Sequence, residues 1–249
     1  MFNFFKKNKI TFLCYQEPFI NSWPPIYSKD LPRPFLKECH KEYQNNQLKD
    51  EKNPSCPFKK HRNTARCDGI RDMISLGYII RLHRDIRITT NGDGESYQWE
   101  VLRSEGEQYT EDVSGFARHQ FADFIKIPEN ALKTVLKINT PWLIDSSDHC
   151  FIQTHPSYFG EHRFTVLEGV IDTKKTREIN IIMFWHILDG TEILRAGTPI
   201  AQLIPIQRKF LPTLEVKIDD KNLRKRITNL SIAKNSTNTN SFRPSFINL

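Results

Sequence analysis

The chain has 249 residues, is 38% hydrophobic and 26% charged, and carries a formal net charge of +7. That length gives one large domain, or one domain with extensions, and its 17 Phe and 4 Trp exclude wholesale disorder. No apolar run approaches the roughly 20 residues of a membrane helix, and Lys6, Lys7 and Lys9 break the apolar start, so neither a membrane span nor a secretory signal is expected.

The positive charge is uneven. Residues 1–70 hold 13 Lys/Arg against 7 Asp/Glu, residues 71–206 hold 14 against 19, and residues 207–249 hold 9 against 3. A polyanion would be drawn to the basic ends rather than to the mildly acidic middle. The five cysteines (Cys14, Cys39, Cys56, Cys67 and Cys150) are odd in number and unaccompanied by an export signal. That fits a reducing cytoplasm, the host's if a phage encodes the chain, better than a disulfide framework.

In chain order, residues 9–15 predict a short strand. Residues 17–61 carry seven prolines and little periodicity, which predicts an irregular arm over the surface, anchored by Trp23, Tyr27 and Phe35. Asp68 to Gly77 predicts a helix, with Asp68 as its cap and Gly77 as its left-handed stop. Residues 77–90 alternate as a half-buried strand with a polar break, Asn91–Gly94 is a hairpin turn, and residues 96–102 return. A polar loop precedes strand signals at 123–127, 133–138, 141–144, 149–155, 163–171, 178–185, 191–194 and 199–206. Many short strands with almost no helix between them predict an antiparallel barrel or jelly-roll sandwich. Residues 217–232 predict a C-terminal helix with Leu223, Ile227 and Leu230 on one stripe. Residues 233–249 read as a mobile tail.

Two segments point to a site. In Gly169-Val-Ile-Asp172, an aspartate ends a strand, where it either takes a proton from water or hydrogen-bonds its own turn. In Gly197-Thr-Pro-Ile-Ala-Gln202-Leu-Ile, an amide stands among apolar neighbours and needs partners, either a ligand or backbone. His155, with His149 and His162 nearby, is a further acid–base or ligand candidate. Cys56-x4-His61-x5-Cys67 offers zinc-type donors at a spacing that matches no regular zinc knuckle, so no metal is expected. His83-Arg-Asp85 matches only a fragment of a kinase catalytic loop. Lys221–Arg226 reads as a solvated helix face before it reads as a nucleic-acid contact.

GVID, the buried strand INIIMFW and G-x-P-IAQLI together resemble two motifs of the trimeric dUTPase family at nearly the family's spacing. The resemblance implies a β-clip jelly roll, Asp172 in the place of a water-activating aspartate, Gln202 in that of a motif glutamine, and by analogy a trimer. Gly77-Tyr78 is similar to the start of a further family motif, which makes Tyr78 a ligand-binding candidate. Lys174, Lys175 and Pro199 stand where the family holds an aspartate, a stacking tyrosine and an arginine, and no Gly-rich C-terminal arm follows. Residues 64–210 also resemble a phage and bacterial family known only as a domain of unknown function. The residues that carry this are Cys67-x-Gly-Ile-x-Asp, Gly77-Tyr-Ile-Ile, Asn139-x-Pro-Trp142, His155-Pro and Gly197-Thr-Pro-Ile-Ala-Gln-Leu-Ile-Pro205.

The expected organisation is an arm over 1–63, a mainly β core over 64–210, a helix over 211–232 and a tail over 233–249. The expected function is a non-catalytic phage-type binding or assembly protein without a cofactor. The alternatives are a nucleotide binder or hydrolase centred on Asp172, using Mg²⁺ with its nucleotide, and a nucleic-acid accessory acting through the basic ends.

Overall fold

The computed structural model describes residues 9–15, 17–34, 38, 41, 67–102, 112–121 and 125–208. The predicted C-terminal helix and tail, together with Phe35, Cys56 and His61, lie outside these residues. In chain order the strands are β1 (Thr11–Cys14), β2 (Ile26–Tyr27), β3 (Tyr78–Arg81), β4 (Asp85–Asn91), β5 (Tyr97–Leu102), β6 (Val113–Phe116) and β7 (Val135–Asp145). They continue as β8 (His149–Thr154), β9 (Phe164–Val166), β10 (Gly169–Ile171), β11 (Glu178–Trp185), β12 (Asp189–Leu194) and β13 (Pro199–Gln207). The helices α1 (Glu17–Ser22) and α2 (Asp68–Ser75) accompany them.

The strands pair antiparallel in three sheets. The first runs β1-β7-β11-β9 with β6 also on β7, the second β10-β8-β13-β3-β2, and the third β12-β4-β5. The expected antiparallel, mainly β character holds, but no closed barrel forms among the described residues. The short edge strands β2, β9 and β10 end their sheets instead. Alternation explains which faces are inside: in β4, Ile86, Ile88 and Thr90 are buried while Arg87 and Thr89 are only partly so. Ile138, Ile144, Phe151, Ile181, Trp185 and Leu203 stand in one continuous core.

The strand signals at 133–138 and 141–144 are one strand, β7, that runs through Pro141. Proline lacks an amide donor, and Pro141 sits where none is needed. On one edge β6 pairs with 135–138 and β1 with 142–145, which leaves a gap between them. On the other edge the register with β11 slips between Asn139 and Leu143. Loop residues fill the gap: Asn139 N–H donates to the Asp112 carbonyl at 2.9 Å, and Tyr15 Oη donates to the Thr140 carbonyl at 3.3 Å.

Other local expectations change. Residues 163–171 are two strands, because 167–168 carry the chain from the first sheet to the second. Residues 125–128 form no strand, and the polar loop contributes β6. Cys67, not Asp68, is the N-cap of α2. Asp68 stands in the first turn, where its charge favours the helix dipole. Gly77 has φ +74°, and a Cβ there would stand 2.0 Å from the Leu203 carbonyl oxygen, so the α2–β3 junction requires glycine.

The segment before α2 is strapped along β3 by aromatic contacts at regular intervals. Tyr27 packs on Tyr78 with ring centroids 5.4 Å apart, Trp23 lies 5.2 Å from the Arg81 guanidinium, and Phe19 lies 4.8 Å from that of Arg84. Contacts of this cation–π kind contribute roughly 0.5–2 kcal/mol each. Trp23 also fills the space above Gly197, where a Cβ would approach its ring to 2.4 Å.

Candidate functional site

Asp172 follows β10 and opens the turn into β11. Its Oδ1 accepts from the Lys174 N–H at 3.1 Å and is ion-paired with Nη1 of Arg208, just past β13. Its carbonyl accepts from the Lys175 and Thr176 amides at 2.7 and 3.0 Å. The Arg208 guanidinium, then the Lys174 N–H, hold the Asp172 carboxyl below the ordinary carboxylate range. A carboxylate so held is a weak base, since proton acceptance weakens as the pKa falls. Thr173 ties the turn further: Oγ1 donates to the Ser146 carbonyl at 2.7 Å and accepts from Arg208 Nη2 at 2.7 Å.

This pairing gives acid sensitivity a definite sign. A carboxylate depressed on folding stabilises the protein above its unfolded value, near 3.8, and that stability is lost as pH falls through the lower folded value. Asp172→Asn is therefore expected to melt below the wild type at neutral pH and to converge with it once pH has fallen below that lowered folded value. A gap in melting temperature that stays constant across that range would exclude the pairing.

Gln202 is fully buried on β13 and its amide is fully engaged. Nε2 donates to the Met73 and Leu76 carbonyls at 2.9 and 2.7 Å, and Oε1 accepts from the Ser157 N–H at 3.0 Å. The last carbonyls of a helix have no partner within it. Gln202 serves those at the end of α2, and Ser28 Oγ serves Ile74 at 2.6 Å.

Tyr78 pairs with Leu203, one residue on from Gln202, so strand alternation turns it to the opposite face. There it packs on Phe12 and Tyr27, and burial pushes its phenol up. His155 lies just beyond β8, edge-on to Phe164 at 5.6 Å, and burial pushes its imidazole below the ordinary histidine value. Asp172 is one residue beyond Ile171, which is level with Phe151 and Pro205, whereas Gln202 is level with Thr154. Asp172 and Gln202 are thus separated by about 13 Å along the strands and two strand spacings of about 5 Å across. The four candidates do not converge. Cys67 is exposed, and no group of three or more metal-type side chains occurs among the described residues.

Beside the Asp172 turn lies an open cleft of about 780 Å³, lined by residues 143, 145–147 and 173–178. Its walls carry Lys174, Lys175 and Arg177, hydroxyls from Ser146, Ser147, Thr173 and Thr176, and the carboxylates of Asp145 and Glu178. Ser146 Oγ lies 3.1 Å from His149 Nδ1 and also accepts from the His149 N–H at 3.3 Å, which closes the β7–β8 turn. Sequence reasoning singled out Asp172 but not its partner Arg208, 36 residues away, because only the β8–β13 pairing brings Arg208 to the turn.

A second polar cluster is buried between the sheets. Asp112 accepts from His83 Nε2 at 3.1 Å and from Arg84 Nη1 at 3.2 Å, and each of the three side chains is 5% exposed or less. Phe19 covers His83 edge-on, with ring centroids 5.0 Å apart. Within the kinase-like tripeptide, His83 turns inward to Asp112, while Asp85 binds Arg195 at 2.7 Å and the Ala196 N–H at 2.7 Å.

These features define a mainly β protein of antiparallel sheets with few helices. No family model and no curated protein matches the chain. Among solved structures it is similar to a native dUTPase of EIAV, at 20% identity and a TM-score of 0.31, over 57% of this chain and 87% of that one.

Proposed function

We propose that the chain is a non-catalytic binding protein on a dUTPase-like β framework, acting in the cytoplasm and self-associating as the sequence resemblance implies. The observation that carries this reading is the engagement of Asp172: its carboxylate is held by Arg208 and the Lys174 N–H. A general base needs a pKa raised toward the working pH, and Asp172 departs in the other direction. Gln202 supports the same reading, since its three hydrogen bonds all go to backbone groups of the chain. Lys174 and Lys175, at the positions of the family's aspartate and stacking tyrosine, give the turn a different character.

The test is hydrolysis of dUTP and the other nucleoside triphosphates by the full chain with Mg²⁺. The expected result is no loss of nucleoside triphosphate and no release of phosphate or pyrophosphate above buffer, with Asp172→Asn indistinguishable from wild type. Turnover that Asp172→Asn abolishes would overturn the reading and restore the hydrolase alternative. Sedimentation tests self-association separately, and a strict monomer at all concentrations would remove that part of the proposal.

A further inference from the structure

The edge of a β-sheet carries unpaired backbone groups, and proteins guard it with charge, proline or cover. Most edge strands here have such a guard. β12 carries Asp189 and Glu192, and β5 carries Glu100. β2 follows Pro24-Pro25, and on β9 the Val166 N–H donates to His155 Nδ1 at 3.5 Å. β10, Gly169-Val170-Ile171, has no charge and no proline, and among the described strands it pairs with β8 alone. Val170 is 63% exposed, more than any other large apolar side chain among the described residues.

The apolar surface continues inward from this edge. Val170 is level with Ile152 on β8, and Ile152 with Ile204 on β13, so the three side chains form one cross-strand row. Ile206 stands on the same face and is 38% exposed. α2 covers the Gln202 end of that face and leaves the β10 end open.

A bare apolar edge with an apolar row beside it suits a further strand laid along β10. The charges at its two ends select which strand. Glu168, just before β10, is exposed, and its carboxylate has no ion-pair partner among the described residues. After β10 the turn carries Lys174 and Lys175, both exposed, while Asp172 is neutralised by Arg208. One end of β10 is therefore negative and the other positive. When a second copy pairs antiparallel about Val170, position 168 of each chain falls opposite position 172 of the other. Each Glu168 then faces the basic turn of its neighbour, twice by symmetry. A parallel copy would set Glu168 beside Glu168, and like charges side by side repel.

We propose that β10 is a self-association edge, on which a second copy of this chain pairs antiparallel about Val170 and joins two five-stranded sheets into one. The proposal rests on the self-association in the reading above and supplies its surface, with a twofold rather than a threefold arrangement. Main-chain hydrogen bonds hold the pair together, Val170 packs on its counterpart, and the Glu168–lysine contacts fix the direction. A strand of three residues makes a small contact, so the association is weak and depends on concentration.

The test is sedimentation of the full chain across the micromolar to near-millimolar range. The expected result is a reversible monomer–dimer equilibrium. Val170→Lys sets two like charges opposite each other at the twofold axis and should weaken dimerisation about tenfold or more. Glu168→Lys should also weaken it, and so should Lys174→Glu combined with Lys175→Glu. An equimolar mixture of these last two variants should recover wild-type affinity, because both contacts of the mixed dimer then join opposite charges. Thermal melting guards against misfolding, and if Val170→Lys melts early the charge-reversed mixture carries the test. Association that Val170→Lys leaves unchanged, or a mixture that associates no better than either variant alone, overturns the β10 surface and leaves self-association standing. A strict monomer at all concentrations overturns both, and the non-catalytic reading stands on its own assay.

Discussion

Replacing Asp112 by alanine is expected to destabilise the protein by about 3–5 kcal/mol, because it leaves buried polar partners without their shared carboxylate. His83 and Arg84 both reach Asp112, and all three side chains are withdrawn from water. The Asp112 main chain is unaffected, so its carbonyl still receives the Asn139 N–H and β6 can still pair with β7. In a domain of this size the loss corresponds to a fall in melting temperature of roughly 10 °C. Asp112→Asn keeps one acceptor oxygen and should fall between the wild type and the alanine variant. The triple replacement of His83, Arg84 and Asp112 by leucine also tests the cluster, because removing all three partners costs less than stranding two of them. If Asp112→Ala melts within about 2 °C of wild type, the cluster is not the buried bolt described here.

Gln202→Leu is the second large effect, expected to cost about 2–4 kcal/mol although it keeps side-chain volume. Leucine fills the space but leaves the Leu76 carbonyl and the Ser157 N–H without their partner and removes one of the bonds to Met73. The damage should be local: faster amide exchange at the end of α2 and around residue 157, ahead of global unfolding. Gln202→Glu retains the acceptor for Ser157 while turning a carboxylate toward two carbonyl oxygens, and should be at least as destabilising. A ligand-binding glutamine would behave in the opposite way, with stability kept and affinity lost. Calorimetry alongside the melts separates the two, and an unchanged melting temperature in Gln202→Leu would overturn the structural role.

The strap over β3 shows where reading residues in order falls short. Trp23 and Tyr27 stand out in the sequence as aromatic anchors because they punctuate a proline-rich stretch. What they anchor to is decided by pairing: β2 lies against β3, which puts Tyr27 on Tyr78, and Trp23 then meets Arg81 and Gly197. The Pro141 break is the reverse case. Proline in a strand signals an interruption to any local reading, yet β7 continues because two different strands share its edge and leave Pro141 in the gap between them.

By itself the sequence determined the antiparallel, mainly β character, the helix before Gly77, the Asn91–Gly94 hairpin and most strands from 149 onward. Each of these rests on local physics: alternation of period two, turn residues that adopt positive φ, and apolar runs too short for helices. It also marked Asp172 and Gln202 as residues needing an explanation. Only the tertiary structure decided what that explanation is, because their partners are remote in the chain. Arg208 lies 36 residues from Asp172, while Met73 and Leu76 lie 129 and 126 residues from Gln202. The burial of His83 and Arg84 against Asp112 was equally invisible, since their side chains meet across 29 and 28 residues. The charge and hydrogen-bonding state of a polar side chain is set by what the fold brings within about 3 Å of it, and no local pattern encodes that.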